Sequence, residues 1–394
     1  MTQALGMAPG LSWLVMYIGS SGPDVLNAMA SGYYINGAQK LDNQLSSSWT
    51  WDPSDPTESD PIFEEFQAQG QSYFQAAGDW GAWNAALRRG GYVYPADDPY
   101  VTSVGGTDLT TNGGGGSYNS EIPWDSTVWD PTTNTYYSTG GGISPSQDSF
   151  PIPYWQTTAA AGCSRCSQTY RNGPDVSANA QYSFYVCANQ IPCTSGSAGT
   201  SFAAPMWAGY MALVNQQAAQ DGNGPVGFIN PYIYTIAAGS RYTQDFHDIT
   251  NNCGNVYCAT TGFDLVTGLG SPNGQNLISD LAAMAQFAPA PQYTSSDVYS
   301  EYSCGNFAAG YNNACYYTLT VTFTVENGES LVVDGQAVGL YNNSFTYSQT
   351  VDWGSGQCNS YIGLCFGYAS FDTPVSAYAT KPGYANSTVV NVYY

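Results

Sequence analysis

The chain has 394 residues, 43% of them hydrophobic, enough for one large and one small domain. It carries 29 acidic against 7 basic residues, a formal net charge of -22, which argues against nucleic acid or an anionic membrane as partner. Only 9% of residues are charged, so the surface depends on polar side chains and loses self-repulsion in acid.

The first third of the chain alternates between strand-like and helix-like segments. The predicted strands are Leu11–Gly19, read as buried on both faces, then Leu45–Trp49, Ser72–Ala77 and Tyr100–Gly106. Helices are predicted at Asp24–Ala30 and at Pro61–Gly70, with Phe63 and Phe66 on its apolar side. Alternation of this kind predicts an α/β fold with a mostly parallel sheet that is covered on both faces.

The middle of the chain changes character twice. Residues 107–160 are rich in Gly, Ser, Thr, Asn and Tyr, which predicts surface loops with hairpins. A helix that is apolar almost all round, and therefore buried, is predicted from Ser201. A closing helix is predicted over Asn276–Phe287.

The last hundred residues follow a different pattern. Residues 288–292, Ala-Pro-Ala-Pro-Gln, predict a short stiff linker after a core of residues 1–287. Beyond it Tyr317–Val325 alternates strictly between apolar and polar side chains, and further strands are predicted at Leu331–Val333, Tyr347–Val351 and Val389–Tyr393. Residues 293–394 are therefore predicted to form a small antiparallel β-sandwich-like module.

Ten cysteines fall into five couples of near neighbours: Cys163/Cys166, Cys187/Cys193, Cys253/Cys258, Cys304/Cys315 and Cys358/Cys365. An even number in tight couples predicts local disulfides and an oxidising compartment. Zinc is the alternative for Cys163 and Cys166, whose spacing also suits metal ligands.

No apolar run reaches the ~18 to 20 residues of a membrane helix. The first residues also lack the basic start of a signal peptide. A secreted type of composition without an export signal leads us to expect that the true N-terminus lies upstream of Met1.

Ser201 is the candidate nucleophile. It lies in the run Gly199-Thr-Ser-Phe-Ala-Ala-Pro-Met-Trp-Ala-Gly209, at the start of the predicted buried helix. The positive end of a helix stabilises a developing oxyanion there. The alternative is that Ser201 simply caps the helix.

A serine nucleophile needs a base, and the usual histidine is missing. The only histidine is His247, in Phe-His-Asp-Ile, which we interpret as a structural residue. A carboxylate base remains, and it suits an enzyme that works in acid.

Motifs spread over residues 1–287 resemble the sedolisin family of serine-carboxyl peptidases, in the order that the family has them. They are Met7–Gly10, Ser46–Trp49, Gly70–Phe74, Ala77–Asp79, Pro99–Thr107, Gly140–Gly142, Pro153–Gln156, Pro174–Ala178 and Gly199–Ser201. The resemblance implies a subtilisin-like fold and hydrolysis of proteins or peptides.

The resemblance also assigns roles to two residues. Ser201 would be the nucleophile, and Asp79 the acid of the oxyanion hole, where a protonated carboxyl donates a hydrogen bond to the tetrahedral intermediate. By itself, the alternative for Asp79 is a turn residue after Gly78. Thr50 departs from the family pattern, which has glycine after Ser-Trp in the strand that binds substrate.

The resemblance further implies one calcium ion. Asp248 and Asp264 would supply carboxylates, and Ile249, Thr260 and Gly262 would supply carbonyl oxygens, which are the ligands that calcium prefers. Without the resemblance, two aspartates in a glycine-rich loop are also typical of ordinary turns.

The family's base is a Glu followed four residues later by an Asp, and both would fall upstream of Met1 together with the prosegment. A misassigned start, a truncated gene and a non-catalytic relative are the three explanations. We expect a secreted, monomeric acid endopeptidase by family, whose chain as given is inactive. The alternative is a binding or structural protein on a truncated peptidase fold.

Overall fold

The structure is a computed structural model of the chain. It describes residues 1–35, 38–51, 55–130, 135–145, 149–187 and 192–284, together with the strands that lie between Gln292 and Val392. The chain divides into two compact units, Met1–Ala285 and Gln286–Tyr394.

Helices and strands are interspersed along the first unit. The helices are α1 (Thr2–Met7), α2 (Gly22–Ser31), α3 (Pro56–Ala68), α4 (Trp83–Arg88), α5 (Thr157–Gly162), α6 (Thr200–Gln220), α7 (Asn230–Ala238), α8 (Tyr242–Asp245) and α9 (Gly274–Met284). The strands are β1 (Tyr33–Ile35), β2 (Ala38–Lys40), β3 (Gln44–Ser47), β4 (Ser72–Ala76), β5 (Trp80–Ala82), β6 (Thr102–Thr111), β7 (Tyr118–Pro123), β8 (Asp125–Asp130), β9 (Thr135–Ile143), β10 (Asn172–Gly173), β11 (Val176–Asn179), β12 (Phe184–Val186), β13 (Thr194–Ser197), β14 (Phe246–His247), β15 (Cys253–Gly254), β16 (Tyr257–Cys258) and β17 (Ser271–Pro272).

The centre of the first unit is a sheet in the order β11-β6-β4-β3, with every one of these pairings parallel. Strand β7 adds to it antiparallel to β6. Every residue of β4 is buried, as expected for a central strand covered on both faces. The parallel sheet predicted from the alternation of elements is confirmed.

Helix α6 packs across β3, β4, β6 and β11. Its Trp207, Met211 and Val214 are fully buried, and the Trp207 ring stacks on Phe74 of β4 with ring centres 6.3 Å apart. The predicted buried helix at Ser201 is therefore confirmed. On the other side of the sheet, Phe63 and Phe66 of α3 are buried against Tyr73.

The segment predicted as the first buried strand, Leu11–Gly19, is not a strand, and that prediction is wrong. Its side chains are largely exposed, with Trp13 62% and Ile18 85% accessible. Among the described pairings β3 ends its sheet, and none of them involves this segment. An apolar run has strand propensity, but a strand also needs a neighbour to pair with.

Residues 107–160 hold hairpins, as predicted, but part of the region is core and not surface loop. β7 pairs with β6, and β8 pairs with β9. Gly140 lies inside, where its N–H donates to the Gly78 carbonyl over 2.7 Å and a Cβ would meet the Ala77 oxygen at 1.9 Å. Only glycine fits this contact between the two sheets.

Every described strand pairing of the second unit is antiparallel, as the alternation predicts. Its strands are β18 (Gln292–Val298), β19 (Tyr316–Thr324), β20 (Ser330–Val333), β21 (Gln336–Val338), β22 (Ser344–Asp352), β23 (Cys358–Asn359), β24 (Leu364–Cys365), β25 (Val375–Thr380) and β26 (Val390–Val392). Phe323, Leu331 and Ala377 are fully buried. The predicted linker lies outside the described residues apart from Gln292, which begins β18.

Three of the five predicted disulfides are confirmed: Cys163–Cys166, Cys187–Cys193 and Cys253–Cys258. The Cys163–Cys166 disulfide excludes the zinc alternative for these two cysteines. The Cys304/Cys315 couple lies outside the described residues, and Cys358 and Cys365 are directly opposite each other in β23 and β24.

Within the described part of the chain, no helix combines the length and the apolar character needed to cross a bilayer.

Phe63→Ala tests the core between α3 and β4. The ring is fully buried, so its loss should lower the free energy of unfolding by about 3–5 kcal/mol in urea denaturation. Ile18→Ala is the control and should cost less than about 0.5 kcal/mol, because this side chain is exposed. Equal losses for the two variants would mean that residues 11–19 are buried after all.

Candidate active site

Asp79 follows the carboxyl end of β4. Its backbone is fixed on both sides, because the Ser138 N–H donates to the Asp79 carbonyl over 2.9 Å and Gly140 donates to Gly78. Gly78 has a φ of 101°, a conformation that glycine adopts readily. The turn thereby directs the Asp79 side chain towards the N-terminus of α6.

Thr200, the first residue of α6, holds the Asp79 carboxyl group. Its backbone N–H and its hydroxyl both donate to Asp79 Oδ1 over 2.8 Å, and the same hydroxyl accepts from the Gly78 N–H at 3.1 Å. The approach depends on Gly199, where a Cβ would lie 2.6 Å from Asp79 Oδ2 and where φ is 129°. The contact therefore joins the end of β4 to the start of α6.

Ser201 is exposed in the first turn of α6, next to this contact. Ser201 and Asp79 both line one cavity of about 200 Å³. Among the described residues, Asp79 is the only carboxylate that lines it; the others are Ser48, Thr50, Ala76, Ala77, Gly78, Trp80, Gly81, Trp83, Ala86, Gly90, Gly91, Tyr92, Thr200 and Ser201. The structure thus brings together the two residues that the motifs assign to catalysis.

Burial raises the pKa of Asp79, against the hydrogen bonds from the Thr200 backbone and side chain, which lower it. The raised pKa widens the acid range in which this carboxyl is protonated. In that range it is a hydrogen-bond donor beside the exposed Ser201 hydroxyl, the arrangement that an oxyanion hole requires.

His247 is not part of this cavity. Its ring stacks on Tyr118 with ring centres 3.7 Å apart, and burial lowers the pKa of the imidazole. These surroundings fit the prediction that His247 is a structural residue.

Asp248 and Asp264, the predicted calcium carboxylates, approach the same turn. The Gly262 N–H donates to Asp248 at 3.1 and 3.2 Å, and the Thr260 N–H donates to Asp264 Oδ2 at 2.9 Å. Burial raises the pKa of Asp264 to about 6 and also raises that of Asp248. None of the described salt bridges neutralises either carboxylate.

The chemistry of this donor set fits a hard cation. Two carboxylates without a basic partner among the described ion pairs lie against a turn that also carries the carbonyls of Thr260 and Gly262. In the part of the chain that the structure describes, no group of three or more His, Cys, Asp or Glu side chains surrounds a metal position. A calcium ion here would therefore depend on backbone carbonyl oxygens.

The model described as the Subtilase family, Peptidase_S8, matches residues 1–231. The chain belongs to the subtilase family. Kumamolisin of Bacillus sp. (strain MN-32) is 30% identical to it over 300 residues, and tripeptidyl-peptidase 1 of Rattus norvegicus is 31% identical over 242 residues. These alignments cover 72% and 56% of this chain, but only 50% and 38% of the two relatives.

The solved structure of Pseudomonas sedolisin, a serine-carboxyl proteinase complexed with two molecules of pseudo-iodotyrostatin, matches with a TM-score of 0.54 and 26% identity. The match covers 67% of this chain and 69% of sedolisin. The subtilisin-like fold and the membership of the sedolisin branch, both predicted from the order of the motifs, are confirmed.

Several residues of this subtilase site were missed by sequence reasoning. Trp80, Gly91 and Tyr92 line the cavity, although nothing in their spacing relates them to Ser201. The role of Thr200 was missed as well, since only the folded chain shows that its hydroxyl reaches Asp79. Thr50 does lie where the resemblance places substrate contacts, because it lines the same cavity.

Thr200→Val tests the contact with Asp79. The variant loses one donor to the carboxyl and leaves the Gly78 N–H without its acceptor, so the free energy of unfolding should fall by about 1–3 kcal/mol. Thr200→Ser keeps the hydroxyl and is the matched control. Equal stability of the Val variant and the unmodified chain in denaturant titrations would contradict the contact.

Proposed function

We propose that this chain carries the core of a sedolisin-type serine endopeptidase, which hydrolyses proteins in acid through an acyl-enzyme on Ser201. The observation that supports this most directly is the cavity that Ser201 shares with Asp79. Residues 1–287 form the peptidase core in this proposal, and residues 293–394 an accessory module.

The reaction would proceed in two steps. Ser201 Oγ attacks the substrate carbonyl carbon and gives its proton to the base, and the C–N bond then breaks as the amine leaves with a proton. Water next hydrolyses the ester on Ser201. In both steps protonated Asp79 and the Ser201 backbone N–H donate to the negative oxygen of the tetrahedral intermediate.

The base in this proposal is a glutamate, paired with an aspartate, that lies outside residues 1–394. Two facts support it: in the part of the chain that the structure describes, Asp79 is the only carboxylate lining the cavity, and His247 lies elsewhere. The chain also spans half or less of the length of kumamolisin and tripeptidyl-peptidase 1. The competing function, a binding protein on a non-catalytic peptidase fold, has the same two facts in its favour.

Activity assays separate the two functions. Residues 1–394 should not cleave a protein substrate in acid, whereas the product of the gene extended upstream should cleave it. In the extended protein Ser201→Ala should abolish turnover, and Asp79→Asn should lower kcat about 10²–10³-fold, as loss of an oxyanion donor does. Ser195→Ala, an exposed serine of β13, is the matched control.

An extended protein without activity would favour the binding protein. Turnover by residues 1–394 that Ser201→Ala abolishes would mean instead that the base lies within this chain.

We also propose one calcium ion, held by the Asp248 and Asp264 carboxylates and the carbonyls of Ile249, Thr260 and Gly262. Bound there, the ion neutralises two acidic side chains and cross-links the loop after β14 to the turn before Asp264. The Cys253–Cys258 disulfide closes the loop between them.

Chelation tests the calcium proposal without an activity assay. Removing the ion should lower the melting temperature, because a ligand present at a hundred times its Kd contributes about 2.7 kcal/mol. Asp264→Asn should lower the melting temperature in calcium and remove the response to chelator. Asp221→Asn, an exposed aspartate after α6, should leave the response intact. A melting temperature that does not change when chelator is added would contradict the proposal.

Secretion is part of the proposed function. It is supported by the three described disulfides, which form in oxidising compartments. A monomer that meets protein substrates outside the cell fits the acidic composition.

A further inference from the structure

A second group of carboxyls lies away from the catalytic cavity, between α3 and residues 93–101. Asp60 is on α3, and Asp98 lies in the segment before β6. Asp98 is fully buried, and the two carboxyl groups are within hydrogen-bonding reach of each other. Neither residue has a part in the proposed catalysis or in the calcium site.

Without an added proton, one oxygen of each carboxyl in this pair has no hydrogen-bond donor within the described part of the chain. Asp98 Oδ1 accepts from the Tyr100 N–H at 2.7 Å. Asp98 Oδ2 and Asp60 Oδ1 are buried, and no donor among the described residues reaches either atom. Two facing carboxylate oxygens repel each other, but one shared proton turns the same contact into a short and strong O–H···O bond. One shared proton would therefore satisfy both carboxyls in the closed arrangement.

Among the described residues, no positive charge replaces the proton. The titratable groups that face Asp60 are Glu64 on the same helix and Asp55, which precedes that helix, and those that face Asp98 are Asp97, Tyr73 of β4 and Tyr94. All of them are acids or phenols.

Arg171, a buried cation that feels the charge of Asp97, pairs with Asp175.

Burial raises the pKa of Asp60 to about 6, and burial together with the charge of Asp60 raises the pKa of Asp98 well above its ordinary value. Glu64, one turn further along α3, has its pKa raised by burial to about 7. A carboxyl with a raised pKa in the closed state stabilises that state in acid. This contribution is lost as the pH rises from the ordinary carboxyl pKa of about 4 through the raised values.

The segment that contains Asp98 is linked to the wall of the catalytic cavity. The Trp51 N–H donates to the Tyr94 carbonyl over 3.2 Å, and the two rings meet edge to face with centres 5.4 Å apart. Thr50, next to Trp51, and Tyr92, two residues before Tyr94, both line the cavity. Movement of residues 93–101 would therefore reach both sides of the cavity.

We propose that Asp60 and Asp98 form a proton-sharing latch, which holds α3 against residues 93–101 in acid and releases this segment as the pH rises towards neutrality. The latch limits the intact cavity to acid independently of the catalytic residues. Its test therefore needs no peptidase activity, and failure of the proposed peptidase function would leave it standing.

Amide hydrogen exchange across pH, corrected for the intrinsic rate, measures the latch directly. In residues 93–101 the opening equilibrium should rise about tenfold per pH unit between roughly pH 4 and 6, because the closed state holds one more proton than the open state.

Asp98→Asn replaces the shared proton by an amide that donates at every pH, so the slope in residues 93–101 should disappear. Asp60→Asn should do the same from the other side, and it keeps the test decisive if the Asp98 variant fails to fold. Asp221→Asn, exposed at the end of α6, should retain the full slope.

A flat profile in the unmodified chain would overturn the latch, and so would an unchanged slope in both amide variants. Calcium that protects residues 93–101 at neutral pH would also overturn it, because the pair would then be a cation site.

Discussion

The contact between Asp79 and Thr200 is the constraint on which the rest of the site depends. One carboxyl oxygen accepts both donors of Thr200, and the Thr200 hydroxyl in turn accepts from Gly78. This fixes the start of α6 against the end of β4, and it thereby fixes the exposed Ser201 relative to Asp79, the only acid among the described residues that line the cavity. It is possible because position 199 has no side chain. Residues 199–201 thus connect the start of α6, the turn after β4 and the side chain of Ser201.

Much of the fold was predictable from the sequence, for a physical reason. Helix α6 is apolar all round and β4 is buried throughout, so each carries its own signal of burial. Leu11–Gly19 carries the same signal and is not a strand, because strand formation depends on a neighbouring strand that lies elsewhere in the chain. Burial of Gly140 was missed for a similar reason, since its partner Gly78 belongs to a distant segment.

The candidate site was likewise predictable only in part. Ser201 and Asp79 were predicted as site residues because each lies in a run of residues typical of one family, and the membership of that family is confirmed. The cavity walls at Trp80 and Tyr92 lie in no such run. The Asp60–Asp98 pair is further from prediction still, because α3 and residues 93–101 meet only in the folded chain.

The described disulfides close loops of very few residues, with sequence separations of 3, 6 and 5. So short a loop removes little freedom from the unfolded chain, and such bridges contribute little to global stability. What they do restrict is the local backbone, which cannot extend to fit into a protease cleft while the bridge is intact. Cleavage by a peptidase within the segments that these bridges close is thereby hindered.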